Sequence, residues 1–262
     1  MDLQLRDKVA VVLAASKGLG KGTALALARE GCRMAICARN AEGLEKVARE
    51  IEACGGKEPL TAVADVGKAQ NLEQFFRRVL EKWAGIDILI TNAGGPPVKA
   101  FSDTSDDEWY TWFDITFMSV VRAIRLALPS MQKNLWGRII NITSVSVKAP
   151  VENLVYSNAL RLAVVGLAKS LANELGSFNI TVNNLAPGYH LTDGLERIVR
   201  AKMDSGLSRQ EVLSAWEQKV PLRRLGRPDD LAELVCFLAS DLAGYISGVT
   251  IPVDGGLYPG SL

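Results

Sequence analysis

The segment best suited to chemistry is Ala14-Ala15-Ser16-Lys17-Gly18-Leu19-Gly20. A short apolar run, residues 9–13, precedes it, and an apolar-periodic stretch to residue 28 follows. That pattern predicts a strand, a tight turn and a helix. A helix N-terminus presents unpaired N–H groups and the positive end of its dipole, so it can hold a phosphate. Gly18 and Gly20 let the backbone approach such a ligand closely. Ala14 stands where the first glycine of a GxxxGxG turn is expected, so the strict pattern is broken. Three further groups follow predicted strands: Asp65-Val66, Asn92-Ala93-Gly94, and Pro187-Gly188 with Thr192 beyond. Asp65 is placed to accept a hydrogen bond from an adenine amine. All of them lie at C-terminal strand ends, where open α/β sheets bind ligands. A later segment, Tyr156-Ser157-Asn158-Ala159-Leu160-Arg161, carries hydroxyls and a cation in an order that leaves the reaction open.

The elements that must position these groups alternate along the chain. Short β-rich runs at 8–14, 34–38, 60–64, 86–91, 138–143, 180–186 and 250–253 are expected strands. Stretches at 41–53, 71–83, 106–131, 160–175 and 229–240 carry apolar residues at spacings of three and four, the helical period. Such alternation predicts a doubly wound α/β fold, Rossmann-like, with a parallel sheet of about seven strands and helices on both faces. No internal repeat, low-complexity tract or linker interrupts it, so residues 1–262 are expected to form a single domain. A long polar stretch around 189–220 is expected to be helical and to cover the site as a lid.

Composition narrows the class. The chain has 262 residues, 48% hydrophobic and 23% charged, with a formal net charge of +1. This balance points to no nucleic acid and no anionic membrane as partner. Cys32, Cys37, Cys54 and Cys236 show no CxxC spacing, and the chain has one histidine, so no metal site is expected. The cysteines read as small apolar residues in a reducing cytoplasm. No apolar run reaches the roughly 18 residues that span a bilayer.

Taken in order and spacing, several pieces resemble the short-chain dehydrogenase/reductases over nearly the whole chain. They are Ser16 to Gly20, Asp65-Val66, Asn92-Ala93-Gly94, Asn141-Ile142-Thr143-Ser144, Pro187-Gly188, Arg223-Arg224-Leu225-Gly226-Arg227-Pro228, Ser247-Gly248 and Val253-Asp254-Gly255-Gly256. The branch that holds 3-oxoacyl carrier-protein reductases is the most similar. The resemblance implies a nicotinamide cofactor, a small carbonyl or alcohol substrate, and a homo-oligomer, a tetramer or dimer. In the family, an acid near Ala38 marks NAD preference. Here none is present and Arg39 follows, with Lys17 in the turn. Two cations there favour a 2′-phosphate, so NADP(H) is expected, with NAD(H) as the alternative. The helices at 106–131 and from 160 would form the family's tetramer interface.

The resemblance further implies a tyrosine acid/base, a lysine four residues later, a serine on the fifth strand and an asparagine in the fourth long helix. A tyrosine with an unperturbed pKa near 10 needs a neighbouring cation to exchange a proton near neutrality. Ser144 matches the serine. Counting from Tyr156 puts Leu160 at the lysine position. Counting back from Val164-Val165-Gly166-Leu167 puts Arg161 there and Ser157 at the tyrosine position, thirteen residues after Ser144. The second register avoids an insertion inside a packed helix. Thr116 takes the asparagine position. Three readings follow: Tyr156 still reaches the site with Arg161 as the cation; another acid serves, such as His190 or a water held by Ser144 and Ser157; or the fold binds nucleotide as a sensor or scaffold without reducing carbonyls. The first two make an NADP(H)-dependent oxidoreductase. Trp109, Trp112 and Phe113 read as packing residues, Glu152 and Asn153 as neighbours of the pocket, and Asp193 and Glu196 as solvated charges.

Overall fold

The computed structural model describes residues 2–203 and 206–261. Strands β1 (Val9–Val12), β2 (Arg33–Ala38), β3 (Leu60–Val63), β4 (Ile88–Thr91), β5 (Gly137–Ile142), β6 (Ile180–Pro187) and β7 (Thr250–Val253) form one sheet. Their order is β3-β2-β1-β4-β5-β6-β7, and every pairing is parallel. The inner strands are buried along their whole length because both faces are covered, which is why they read as unbroken apolar runs.

One face packs against α1 (Gly18–Arg29), α2 (Ala41–Ala53) and α9 (Pro228–Ala239), through Leu27, Leu44, Leu231 and Val235. The other packs against α3 (Ala69–Trp83), α5 (Ser119–Asn134) and α6 (Val155–Leu175), through Phe75, Phe76, Ala123 and Val164. Strand order reverses between β1 and β4, so the loops after them splay apart at the C-terminal edge and leave a crevice. Cys32, Cys37 and Cys236 are buried in this packing, and burial pushes the Cys37 thiol up to about 12. Among the described residues no helix is long and apolar enough to cross a membrane, and no His/Cys/Asp/Glu group is arranged to hold a metal.

Two elements depart from the expected bounds in ways that matter for the site. The predicted helix 106–131 is not continuous. It consists of α4 (Asp106–Phe113), a π-turn over Asp114–Met118, and α5, which runs on to Asn134. The wider turn accommodates one extra residue, and Thr116 within it is buried. The helix expected from residue 160 begins five residues earlier, at Val155. The stretch at 189–220, described except for residues 204 and 205, contains α7 (Asp193–Met203) and α8 (Arg209–Lys219). They share a small apolar cluster of Leu195, Val199, Val212, Leu213 and Trp216, with Tyr189 stacked on Trp216 at 5.2 Å.

Candidate active site

Two joined cavities open at the C-terminal edge of the sheet. The first, about 600 Å³, is bounded by Ala14, Ser16, Lys17, Gly18, Leu19, Arg39, Asp65, Val66, Asn92, Ala93, Gly94 and Thr192. These are the groups singled out in the sequence, except Gly20, Pro187 and Gly188. Helix α1 starts at Gly18, and its cap residue Lys17 makes no side-chain capping bond. The N–H groups of that first turn therefore face the cavity with the dipole's positive end. Gly18 has φ +57, a conformation that favours glycine. Gly20 lies deeper: a Cβ there would stand 2.6 Å from the Ala14 carbonyl oxygen and 2.7 Å from Asn92 Nδ2. Gly20 thus allows the α1 turn to close on the β4 loop, where Asn92 Nδ2 donates to the Ala14 carbonyl at 3.3 Å. Asp65 Oδ1 accepts from the Gly67 N–H at 3.0 Å and stays at the cavity wall.

The second cavity, about 510 Å³, has largely apolar walls: Pro96, Pro97, Val98, Val145, Leu154 and Ile198 among others. Ser144, Ser157, Arg161, Pro187, Gly188 and His190 also border it. The two cavities share Leu19, Gly95, Thr143, Arg161, Thr192 and Gly194, so a ligand in one meets a ligand in the other. The segment 95–98 carried no signal in the sequence, because proline-rich loop residues around a pocket have no period and no chemistry of their own.

Helix geometry sorts the disputed segment. Residues four apart on a helix share a face. Ser157 and Arg161 both border the second cavity, while Tyr156 borders neither. Tyr156 is fully buried against Trp109, with ring centroids 4.7 Å apart, and near Trp112 at 6.5 Å. Its hydroxyl donates to Glu108 Oε2 at 3.1 Å. Burial raises its pKa, and the Glu108 carboxylate adds to the rise, the opposite of what an acid working near neutrality needs. The expectation that Tyr156 reaches the site through a deformed helix start is therefore corrected: α6 begins before Tyr156, and its regular turn carries that ring away. Glu108 in turn caps α4 and pairs with Lys99 at 2.6 Å.

Around the cavity, Ser157 Oγ lies 3.1 Å from Ser146 Oγ, and Ser144 Oγ accepts from the Ser146 N–H at 3.1 Å. Ser146 was missed in the sequence because it sits in a short 3-10 turn rather than a motif. Arg161 is buried, and its Nη1 donates to the Ile142 and Thr143 carbonyls, both at 3.0 Å. Burial alone pulls its pKa down to about 10, which leaves it charged at neutral pH. Thr116 lies behind Arg161, beside a void of about 10 Å³, with its hydroxyl unpartnered among the described residues. His190 Nδ1 lies 3.3 Å from the Gly188 carbonyl oxygen. Its Nε2 is sealed and unpartnered among the described residues, and the ring lies so close to Gly226 that a Cβ there would stand 2.8 Å from Nε2. Burial lowers its pKa. The reading that uses His190 as the acid fails on this geometry, since the free nitrogen does not open onto the cavity.

Fold and crevice define a doubly wound nucleotide-binding protein with a second, apolar pocket at the cofactor end. The family described as enoyl-(acyl carrier protein) reductase matches residues 13–258. The 3-oxoacyl-[acyl-carrier-protein] reductase FabG of Pseudomonas aeruginosa is 34% identical over 256 residues, covering 98% of this chain and 99% of that one. The corresponding Synechocystis reductase is 35% identical, covering 97% and 98%. Among solved structures, the L-sorbose reductase of Gluconobacter frateurii, complexed with NADPH and L-sorbose, superposes with a TM-score of 0.94 at 29% identity, over 98% of both chains. YwfH, an NADPH dependent reductase involved in bacilysin biosynthesis, gives 0.91 at 29% identity, over 96% of this chain and 98% of that one. The chain belongs to the short-chain dehydrogenase/reductase family, in its 3-oxoacyl carrier-protein reductase-like branch.

Proposed function

We propose that this protein is an NADP(H)-dependent oxidoreductase that moves hydride between the nicotinamide and a small, largely apolar carbonyl compound. The observation that carries this reading is the continuity of the two cavities through Arg161 and Thr143. The first cavity fits a dinucleotide. The uncapped first turn of α1 would hold the pyrophosphate over Gly18. Lys17 and Arg39 would take the ribose phosphate, and Asp65 with Val66 would meet the adenine. Asn92-Ala93-Gly94 would flank the nicotinamide ribose, and Pro187-Gly188 with Thr192 the nicotinamide. Solved relatives complexed with NADPH support the cofactor choice. When bound, the nicotinamide supplies the hydride; the chain orients the substrate carbonyl and excludes water.

The chain acts as one domain in this reading, with α7 and α8 as a lid. Thr192, Gly194, Leu195 and Ile198 on that segment border the apolar cavity, which supports the assignment. Exposed Tyr110 and Phe113 on α4 and Leu162 on α6 support a homo-oligomer through that face.

Tyr156 borders neither cavity, and Tyr189 on the wall of the second is stacked on Trp216, which favours one rival, a nucleotide-binding protein without turnover. Titration with NADPH and NADH, followed by single-turnover assays on a panel of ketones, conjugated enones and 3-oxoacyl thioesters, separates the two. Oxidation of bound NADPH upholds the enzyme; tight binding with no oxidation across the panel establishes the rival.

A further inference from the structure

Residues 94–99 form a strap between β4 and α4 that has little to hold it. Gly94 and Gly95 give it a free hinge, since a Cβ at either would meet nothing within 4 Å. Pro96 and Pro97 have no N–H to donate. Among the described residues, every hydrogen bond made between residues 94 and 99 belongs to Lys99. Its backbone N–H donates to the Asn153 carbonyl at 2.6 Å, and it forms a parallel bridge with Leu154. Its ammonium donates to Glu108 Oε1 at 2.6 Å and to the Asp103 carbonyl at 3.4 Å. Pro96, Pro97 and Val98 on the strap border the apolar cavity, and so do Val151 and Leu154 on the segment that Lys99 grips. That segment is itself fixed, because Asn158 on α6 accepts from the Val151 N–H at 3.1 Å and donates to the Val151 carbonyl at 2.9 Å.

Glu108 is the fixed end of the ion pair. In the first turn of α4, its N–H donates to the Ser105 hydroxyl at 3.3 Å, and its Oε2 accepts from the Ser105 N–H at 3.2 Å. The Tyr156 hydroxyl donates to the same oxygen at 3.1 Å, which leaves Oε1 for Lys99. Each partner favours the charge on the other: Glu108 raises the Lys99 pKa, and Lys99 lowers that of Glu108. Neither side chain borders the cavity, so the pair acts through the strap and touches no ligand there. A wall that is held before a ligand arrives does not have to be ordered when it binds, and that saving appears as affinity. We propose that Lys99 and Glu108 are positioning residues that hold the strap against the 151–154 segment and so keep the apolar cavity in a ready shape for a neutral, apolar carbonyl compound. This rests on the reading of that cavity as the substrate site. Without the pair, the strap swings on Gly94 and Gly95 with only the Lys99 backbone and the Asp103 carbonyl to restrain it.

The test titrates the protein, with and without saturating NADP⁺, with prodan, a neutral naphthyl ketone whose emission moves to the blue in apolar surroundings. Wild-type protein should bind it with a blue shift. Lys99→Met and Glu108→Gln should each weaken binding about two- to fivefold, the range of a part-exposed ion pair. The double variant should lose no more than either single one, because the same interaction is removed in all three. Lys99→Arg keeps the charge and should recover most of the affinity. Deuterium exchange at the Lys99 amide should quicken by a similar factor in Lys99→Met and return towards wild type in Lys99→Arg, a local readout that a general loss of stability would not confine to the strap. If Glu108→Gln does not fold for want of its cap, Lys99→Met and Lys99→Arg carry the test, since both leave the cap in place. Unchanged prodan affinity in Lys99→Met, losses that add in the double variant, or Lys99→Arg as weak as Lys99→Met overturns the proposal. Wild-type protein that binds NADP⁺ but not prodan removes the reading of the apolar cavity, and this inference falls with it. Prodan binding that is indifferent to the pair removes the inference alone.

Discussion

Replacing Ala14 by glycine should stabilise this protein. Ala14 closes the phosphate turn with φ +50, the left-handed region that L-residues disfavour. A side chain there costs about 1–2 kcal/mol, which glycine does not incur. Glycine gives the unfolded chain more freedom, and this takes back about 0.4–1 kcal/mol. The net expectation is a gain of about 0.5–1 kcal/mol, or a thermal midpoint higher by about 1–4 °C for a chain of this length. The backbone is already held in the required shape, with Asn92 Nδ2 on the Ala14 carbonyl and Gly20 packed beneath it. Nucleotide affinity should therefore stay within about threefold, roughly 0.6 kcal/mol. Urea unfolding with an unchanged slope measures the first quantity and fluorescence titration of NADPH the second. A lower unfolding midpoint for Ala14→Gly would refute the argument, because it would mean that the turn is not left-handed at Ala14 or that its methyl group packs usefully.

Four further outcomes follow from the same geometry. NADPH should bind about 10–150-fold more tightly than NADH, and Arg39→Asp should invert the preference; equal affinities in the wild type contradict the role given to Lys17 and Arg39. Thr116→Val removes a buried hydroxyl with no partner among the described residues and should raise stability by about 1 kcal/mol. A fall in stability instead would show that a water in the adjoining void satisfies that hydroxyl. Tyr156→Phe should leave single-turnover hydride transfer near the wild-type rate, since its hydroxyl faces Glu108 rather than the cavity; near-complete loss of transfer with nucleotide still bound defeats that placement. His190 is the chain's one histidine, and burial holds its pKa below the ordinary 6.5. As pH falls through 6.5 the unfolded chain takes up a proton that the folded chain refuses, so stability should drop from there down to the folded pKa. His190→Leu should flatten that part of the pH–stability curve, and an unchanged curve goes against the assignment.

Much of the architecture was legible because a parallel sheet buried on both faces leaves apolar runs of the right length, separated by amphipathic helices. The strand at 138–143 was placed almost correctly, at Gly137–Ile142, since Ile139, Ile140 and Ile142 form such a run. The phosphate turn was legible for a different reason: Gly18 and Gly20 answer to backbone demands that local sequence displays. The π-turn at Asp114–Met118 was not legible. An inserted residue keeps helical composition and nearly helical period, and only the surrounding packing makes the wider turn preferable. The apolar pocket was hidden for a related reason. Pro96, Val98, Val145 and Ile198 come from separate loops and a helix, and nothing local marks them as one wall.

The catalytic segment turned on where a helix begins. Leu154 caps α6 without a side-chain hydrogen bond, and no acidic residue stands in its first turn, so the usual markers of a helix start are missing. With the helix drawn from residue 160, Tyr156 remained free to point anywhere. With it drawn from Val155, the direction of every side chain in Tyr156 to Arg161 follows from one turn per 3.6 residues. Tyr156 and Leu160 then share a face, and Ser157 and Arg161 share another. Only the second pair meets the cavity. The aromatic face had its own attraction: Trp109 lies 4.7 Å from the Tyr156 ring, and Glu108 waits at its hydroxyl. Both come from α4, so the packing that fixes α6 against α4 is the same packing that withholds the tyrosine from the reaction. A proton donor cannot be restored here by a small shift of Tyr156. A tyrosine at position 157, one residue later on the helix, would border the cavity, and the present chain has a serine there beside a buried arginine.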